Sequence, residues 1–204
     1  MCTLPRRFGM VILALLGLFA SIPDAGADPF GHPNPGFLAD SADHNYCFAS
    51  GTSASHQSAA RGSMGYLDDT TDMWDWEANS CGSMTDVVWV FGPAAADDGS
   101  PVRGRTYCVS WRSWGICEQY WLVVNPAEIF SNTATCGGGA ANYDVNLVKT
   151  IRHELGHSTG LSHSTPGGCN NATGDDSMVS SHVSTDLKWT TYSTHHRDHV
   201  NAQY

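Results

Sequence analysis

Apolar and polar positions change rhythm along the chain, and each change marks an element. Phe8 to Ala20 is almost wholly apolar and follows Arg6-Arg7. The run is too short to span a bilayer. Ala25-Gly26-Ala27 then supplies a small-x-small cleavage pattern, so residues 1–27 read as an export signal. Residues 28–43, rich in Pro, Gly and Ala, predict an irregular N-terminal arm. Asn45-Tyr46-Cys47-Phe48 predicts a short strand. From Ser55 to Ala78, Met64, Leu67 and Trp74 recur at roughly helical spacing, broken by Gly62 and Gly65, which predicts an imperfect helix. Asp86 to Phe91 is β-branched and aromatic and is bounded by Gly92-Pro93, the pattern of a buried strand. Gly104 to Trp111 and Tyr120 to Val124 predict two more strands, joined by a loop carrying Trp111 and Trp114 and closed by Cys108 and Cys117.

Leu147, Ile151 and Leu155 recur every four residues and form one apolar face of a helix. Either Asn142 or Asp144 can cap its start. Thr194 to Tyr204 predicts a closing helix. No internal repeat or low-complexity linker divides residues 28–204, so they are expected to form one domain with its own core. Strands first and a mostly irregular C-terminal part suit an α+β fold.

Composition narrows the setting. The chain has seven cysteines. Cys2 falls in the export signal, and Cys47, Cys81, Cys108, Cys117, Cys136 and Cys169 form an even set. In an exported chain such a set reads as disulfides. Pairing neighbours gives Cys47–Cys81, Cys108–Cys117 and Cys136–Cys169. A cysteine zinc site would need closely spaced pairs that the sequence lacks. The formal net charge is −10, which opposes phosphate backbones and anionic lipid. Nucleic acid and membrane partners are therefore not expected. The expectation is a soluble, secreted monomer in the extracellular space or a periplasm, acting on protein or peptide substrates.

The chemistry concentrates in His153-Glu154-Leu155-Gly156-His157-Ser158-Thr159-Gly160-Leu161-Ser162-His163, or H-E-x-x-H-x-x-G-x-x-H. On a helix, residues four apart share one face, so His153 and His157 can aim ring nitrogens at one point. A third ligand requires the chain to leave the helix, and Gly160 permits that. His163 then returns toward the metal. Three neutral imidazoles leave a fourth tetrahedral position for water, the arrangement of a catalytic Zn2+.

These residues resemble the metzincin clan of zinc endopeptidases, and the specific resemblance covers about residues 143–180. Asp176-Ser177-Met178-Val179 is similar to the clan's methionine-containing turn, and Ser164 after the third histidine resembles the matrixin branch. Ser180 stands where many members carry tyrosine, which leaves the branch open. The resemblance implies a twisted mixed sheet over an active-site helix. It makes Met178 an apolar floor beneath the ligands and Glu154 the general base for water attack on a peptide carbonyl. Residues after Met178 would wall the pocket for the side chain following the cut. Alternatives are a catalytically inactive zinc-binding secreted domain, and a zinc aminopeptidase or other hydrolase sharing only H-E-x-x-H. Three further features stand beside a plainer reading. Tyr192 can reach the cleft or simply pack. His195 and His199 can seat a second zinc or face solvent. Asp68, Asp69, Asp72 and Asp75 can attract Ca2+ or form a solvated acidic surface without an EF-hand loop.

Overall fold

A computed structural model describes residues 38–135, 140–163, 176–180 and 186–204. In chain order its elements are β1 (Leu38–Ala39), β2 (Tyr46–Phe48), α1 (Ala54–Thr70), β3 (Val87–Phe91), β4 (Gly104–Ser113), β5 (Ile116–Val124), α2 (Pro126–Thr135), α3 (Tyr143–Ser158) and α4 (Thr194–Gln203). The fold is mixed α+β. The sheet is largely parallel: β3 pairs with β5 from Val87↔Tyr120 to Phe91↔Val124, and β2 and β1 run parallel to β3 and β5. Antiparallel β4 closes one edge against β5.

The pattern of β3 explains its central place. Val87, Val88 and Trp89 are successive and all buried, as a parallel strand covered on both faces requires. Much of β4 is exposed, as its edge position allows. Under the sheet, Met64 and Leu67 of α1 meet Leu147, Ile151 and Leu155 of α3 in one core with Trp89 and Leu122. Each such side chain contributes about 1.5–3 kcal/mol on burial. The apolar stripe of α3 thus lies where its periodicity placed it.

Several boundaries differ from expectation. The helix expected to reach Ala78 ends at Thr70. The Thr71 main-chain N–H and hydroxyl both donate to the Leu67 carbonyl, at 3.0 and 2.7 Å, and so terminate it. Trp74 and Glu77 instead bridge to Asp43 and Tyr46. The end of the expected arm is likewise tied in. Leu38 N–H donates to Gly115 at 3.1 Å, and Ala39 N–H donates to the Tyr204 hydroxyl at 2.8 Å. Trp111 lies in β4, within the strand expected from Gly104, but the strand runs on to Ser113 and the turn shortens to Trp114–Gly115, with Gly115 at a φ of 79°. The unforeseen α2 begins after Asn125, whose Oδ1 accepts from Glu128 N–H at 3.2 Å, with Pro126 in the first turn.

Disulfides join Cys47 to Cys81 and Cys108 to Cys117. Cys136 and Cys169, the export signal and residues 28–37 lie outside the described residues. Among the described residues, no helix is long and apolar enough to cross a membrane.

Candidate metal centre

The end of α3 builds the site. Leu161 N–H donates to the Gly156 carbonyl at 3.0 Å and Gly160 N–H to that of His157 at 3.1 Å. These two bonds close a Schellman turn, with Gly160 at the left-handed position, φ 94°. The turn reverses the chain toward His163, and its Leu161 carbonyl lies 2.8 Å from His157 Nδ1. His153 Nδ1 lies 2.8 Å from the Ser177 carbonyl. A carbonyl only accepts, so both Nδ1 atoms carry the proton, and both Nε2 atoms of the neutral rings carry lone pairs.

Those lone pairs face one another. His157 Nε2 is 3.2 Å from His153 Nε2 and 3.1 Å from His163 Nε2. The three ring centroids form a near-equilateral triangle with sides of 4.7, 4.8 and 4.9 Å. Converging acceptors repel unless a cation lies between them. A tetrahedral zinc with Zn–N of about 2.0–2.1 Å has ligand–ligand edges of about 3.3 Å. The donor set and spacing therefore fit zinc, although the residues themselves name no particular metal. Among the described residues, this is the only group of three His, Cys, Asp or Glu donors lying within 4.8 Å of one another. The structure thus brings neither His195 and His199 nor the aspartates at 68, 69, 72 and 75 into a comparable cluster. His195 and His199 sit ring to ring on α4, with centroids 4.2 Å apart.

Glu154 is buried and turns toward the edge strand β4. The Thr106 hydroxyl lies 2.8 Å from Glu154 Oε2 and 2.9 Å from its main-chain oxygen. A Cβ at Gly104 would lie 2.5 Å from Glu154 Oε1, so the carboxyl occupies space that only glycine leaves. Burial pushes the Glu154 carboxyl up to about 7, opposed by the Thr106 hydrogen bond and the Arg103 charge. A bound dication would act in the same lowering sense. Burial, followed by the charges of His157 and Lys149, holds His153 well below the ordinary histidine range. An open cleft of about 700 Å³ joins these groups, with Gly104, Thr106, Glu154, His163 and Val179 among its walls.

Met178 is fully buried against α3. A Cβ at Gly156 would lie 3.2 Å from both Met178 Cε and Tyr192 Cε1, and closer still to the Met178 sulfur. The turn before it is fastened by Asp176, which accepts from Met178 N–H at 2.8 Å, Ser193 N–H at 3.2 Å and His196 Nδ1 at 2.5 Å. Burial opposes ionisation of Asp176, yet these hydrogen bonds, led by that from His196, hold its carboxyl below the usual range. Tyr192 packs away from the cleft and donates its hydroxyl to the Arg152 carbonyl at 2.6 Å.

Sequence reasoning did not find Thr106, Gly104 or Lys149. Lys149 is buried in the wall and donates to the Val179 and Ser177 carbonyls at 2.8 and 3.4 Å. Burial, reinforced by Arg103, brings its ammonium down to about 7. A glycine opening a strand does signal close approach by another group, and Gly104 could have been found that way. No family model matches this chain, and no curated protein matches it.

Proposed function

We propose that this chain is an exported zinc endopeptidase of metzincin type that hydrolyses peptide bonds in protein or peptide substrates. The observation that carries the reading is the convergence of three imidazole Nε2 atoms with a buried carboxylate from the adjoining residue. A zinc ion held by His153, His157 and His163 would supply Lewis acidity toward a carbonyl and make a water acidic near neutrality. Glu154 then takes a proton from the attacking water and returns it to the leaving amine nitrogen. The Thr106 hydroxyl orients the Glu154 carboxyl, and Gly104 leaves room for it. The Ser177 and Leu161 carbonyls fix the tautomers of His153 and His157, as partners of metal ligands do.

The cleft runs beside residues 103–108, at the edge of the sheet. An exposed strand edge can accept an extended polypeptide by main-chain pairing. That favours cutting within a chain over removing a terminal residue. The Cys47–Cys81 and Cys108–Cys117 disulfides support the exported setting.

The test compares wild type with Glu154→Gln on an unfolded protein and a peptide library. Both proteins should carry about one zinc per chain. The variant should lose turnover by orders of magnitude. Equal turnover would remove Glu154 from the mechanism. Zinc binding without turnover in wild type would favour the inactive-domain alternative, and release of single N-terminal residues the aminopeptidase one.

A further inference from the structure

Arg103, Arg105 and Lys149 all line the cleft beside the histidines, but their charges are not matched alike. Arg105 pairs with Asp97. The charges of Glu154 and Glu128 both act on Arg103. Lys149 meets no carboxylate at ion-pair distance among the described residues. Its ammonium has three N–H donors, and its partners are the Val179 and Ser177 main-chain carbonyls, at 2.8 and 3.4 Å. The charges of Asp176 and Glu154 reach it only from farther off. Asp176 is committed to Met178, Ser193 and His196, and Glu154 to Thr106. Buried charges are paired as a rule. In a chain with 20 Asp+Glu against 10 Lys+Arg, a buried ammonium left without a carboxylate is a departure that points to an anion from outside.

The neighbouring residue makes the place reachable. Lys149 is only 2% exposed, so its charge acts on the cleft through the wall, where salt and water screen it little. Thr150 also lines the cleft. Its hydroxyl bonds to no group among the described residues, and its oxygen is not fully buried. It therefore opens on the cleft with a donor to offer. Thr150 lies one turn before Glu154, and Lys149 one turn before His153, about 6 Å along α3. A side chain held there belongs to a residue adjoining the bond at the metal centre.

We propose that this part of the cleft receives the carboxylate of an acidic side chain, so that the enzyme cuts beside Asp or Glu. The Thr150 hydroxyl donates to the carboxylate, and Lys149 supplies the opposite charge. A neutral amide of the same shape gains the hydrogen bond without the charge, and a basic side chain meets like charge. The inference rests on the peptidase reading of the histidine centre and adds its substrate class.

The test measures kcat/KM of the zinc-loaded, disulfide-bonded full chain on peptides that differ only by Asp against Asn, or Glu against Gln, at each position flanking the cut. At one adjoining position the acid should be preferred over its amide by about tenfold. Lys149→Gln keeps donors for the two carbonyls and removes the charge, and should bring that ratio to about one. Lys149→Arg should hold it above one. The ratio is read within each protein, so a general loss of activity cancels. Thr150→Val should lower it about two- to threefold and serves if Lys149→Gln misfolds. No acid preference at either adjoining position in wild type, or a preference unchanged in Lys149→Gln, would overturn the proposal. If wild type cuts no peptide, the peptidase reading falls by itself. Shifts of the Thr150 and Val179 amide resonances with Nα-acetyl-glutamate amide and Nα-acetyl-glutamine amide then decide the carboxylate site. The acid should bind more tightly in wild type, and its advantage should shrink in Lys149→Gln; an advantage absent in wild type or unchanged in the variant would overturn the site.

Discussion

Replacing Gly104 by Ala adds one carbon at the position nearest the Glu154 carboxyl. The new Cβ would lie 2.5, 2.7 and 2.8 Å from Glu154 Oε1, Cγ and Cδ. Non-bonded carbon and oxygen atoms rest at about 3.5 Å, so the carboxyl must retreat by roughly 1 Å. The Thr106 hydroxyl holds Oε2 at 2.8 Å, and losing that bond costs about 0.5–1.5 kcal/mol. Gly104 lies in strand conformation without a positive φ, so alanine meets no backbone penalty there. The strain therefore falls on Glu154 rather than on the fold. A displacement of about 1 Å in a positioned catalytic group costs roughly a hundredfold in rate. Steady-state kinetics on a peptide substrate should show kcat lowered by about that factor, with zinc content close to wild type and the thermal midpoint lowered by only a few degrees. Wild-type kcat in Gly104→Ala would show that the carboxyl need not rest against β4 during turnover, and the positioning role of Gly104 and Thr106 would fail with it.

Gly156→Ala tests the seat of Met178. The added Cβ lies within 3.2 Å of Met178 Cε and Tyr192 Cε1, and overpacking of this kind costs about 1–3 kcal/mol. Calorimetry should find the midpoint lowered by roughly 3–10 °C; an unchanged midpoint would mean that the turn yields freely. His44 governs acid sensitivity. It is fully buried, with Nε2 2.8 Å from Ser158 Oγ and no partner at Nδ1 among the described residues, and burial lowers it from 6.5 to about 4. Because the folded value lies below the unfolded one, its contribution is fully present above pH 6.5 and is lost as the pH falls through about 4. The loss reaches about 3 kcal/mol. Zinc release in acid affects wild type and His44→Gln alike, so the gap between their unfolding free energies from urea titration isolates His44. That gap should swing by about 3 kcal/mol between pH 7 and pH 4, and a constant gap would contradict the assignment.

What could be read from the chain is what local spacing determines. Leu147, Ile151 and Leu155 revealed the buried side of α3 because one periodicity serves both helix and core. His153, His157, Gly160 and His163 lie within one helix end and the turn that follows, so short-range geometry suffices to bring their rings together. Asn125-Pro126 is a local start signal for α2. The rest is tertiary. Thr106 and Gly104 reach Glu154 from another strand, and the Ser177 carbonyl reaches His153 from a turn far along the chain. No spacing announces such meetings. The helix stops short of Ala78 for a related reason: Trp74 mimics helical periodicity, but the chain there bridges to Asp43, and such pairing overrides local pattern.

Zinc-edge X-ray absorption on the purified chain tests the metal assignment most directly. Three imidazole nitrogens at about 2.0–2.1 Å and one oxygen donor are expected, with zinc largely lost from His163→Ala. Zinc–sulfur scattering near 2.3 Å, or a shell closed by four protein ligands, would contradict the account.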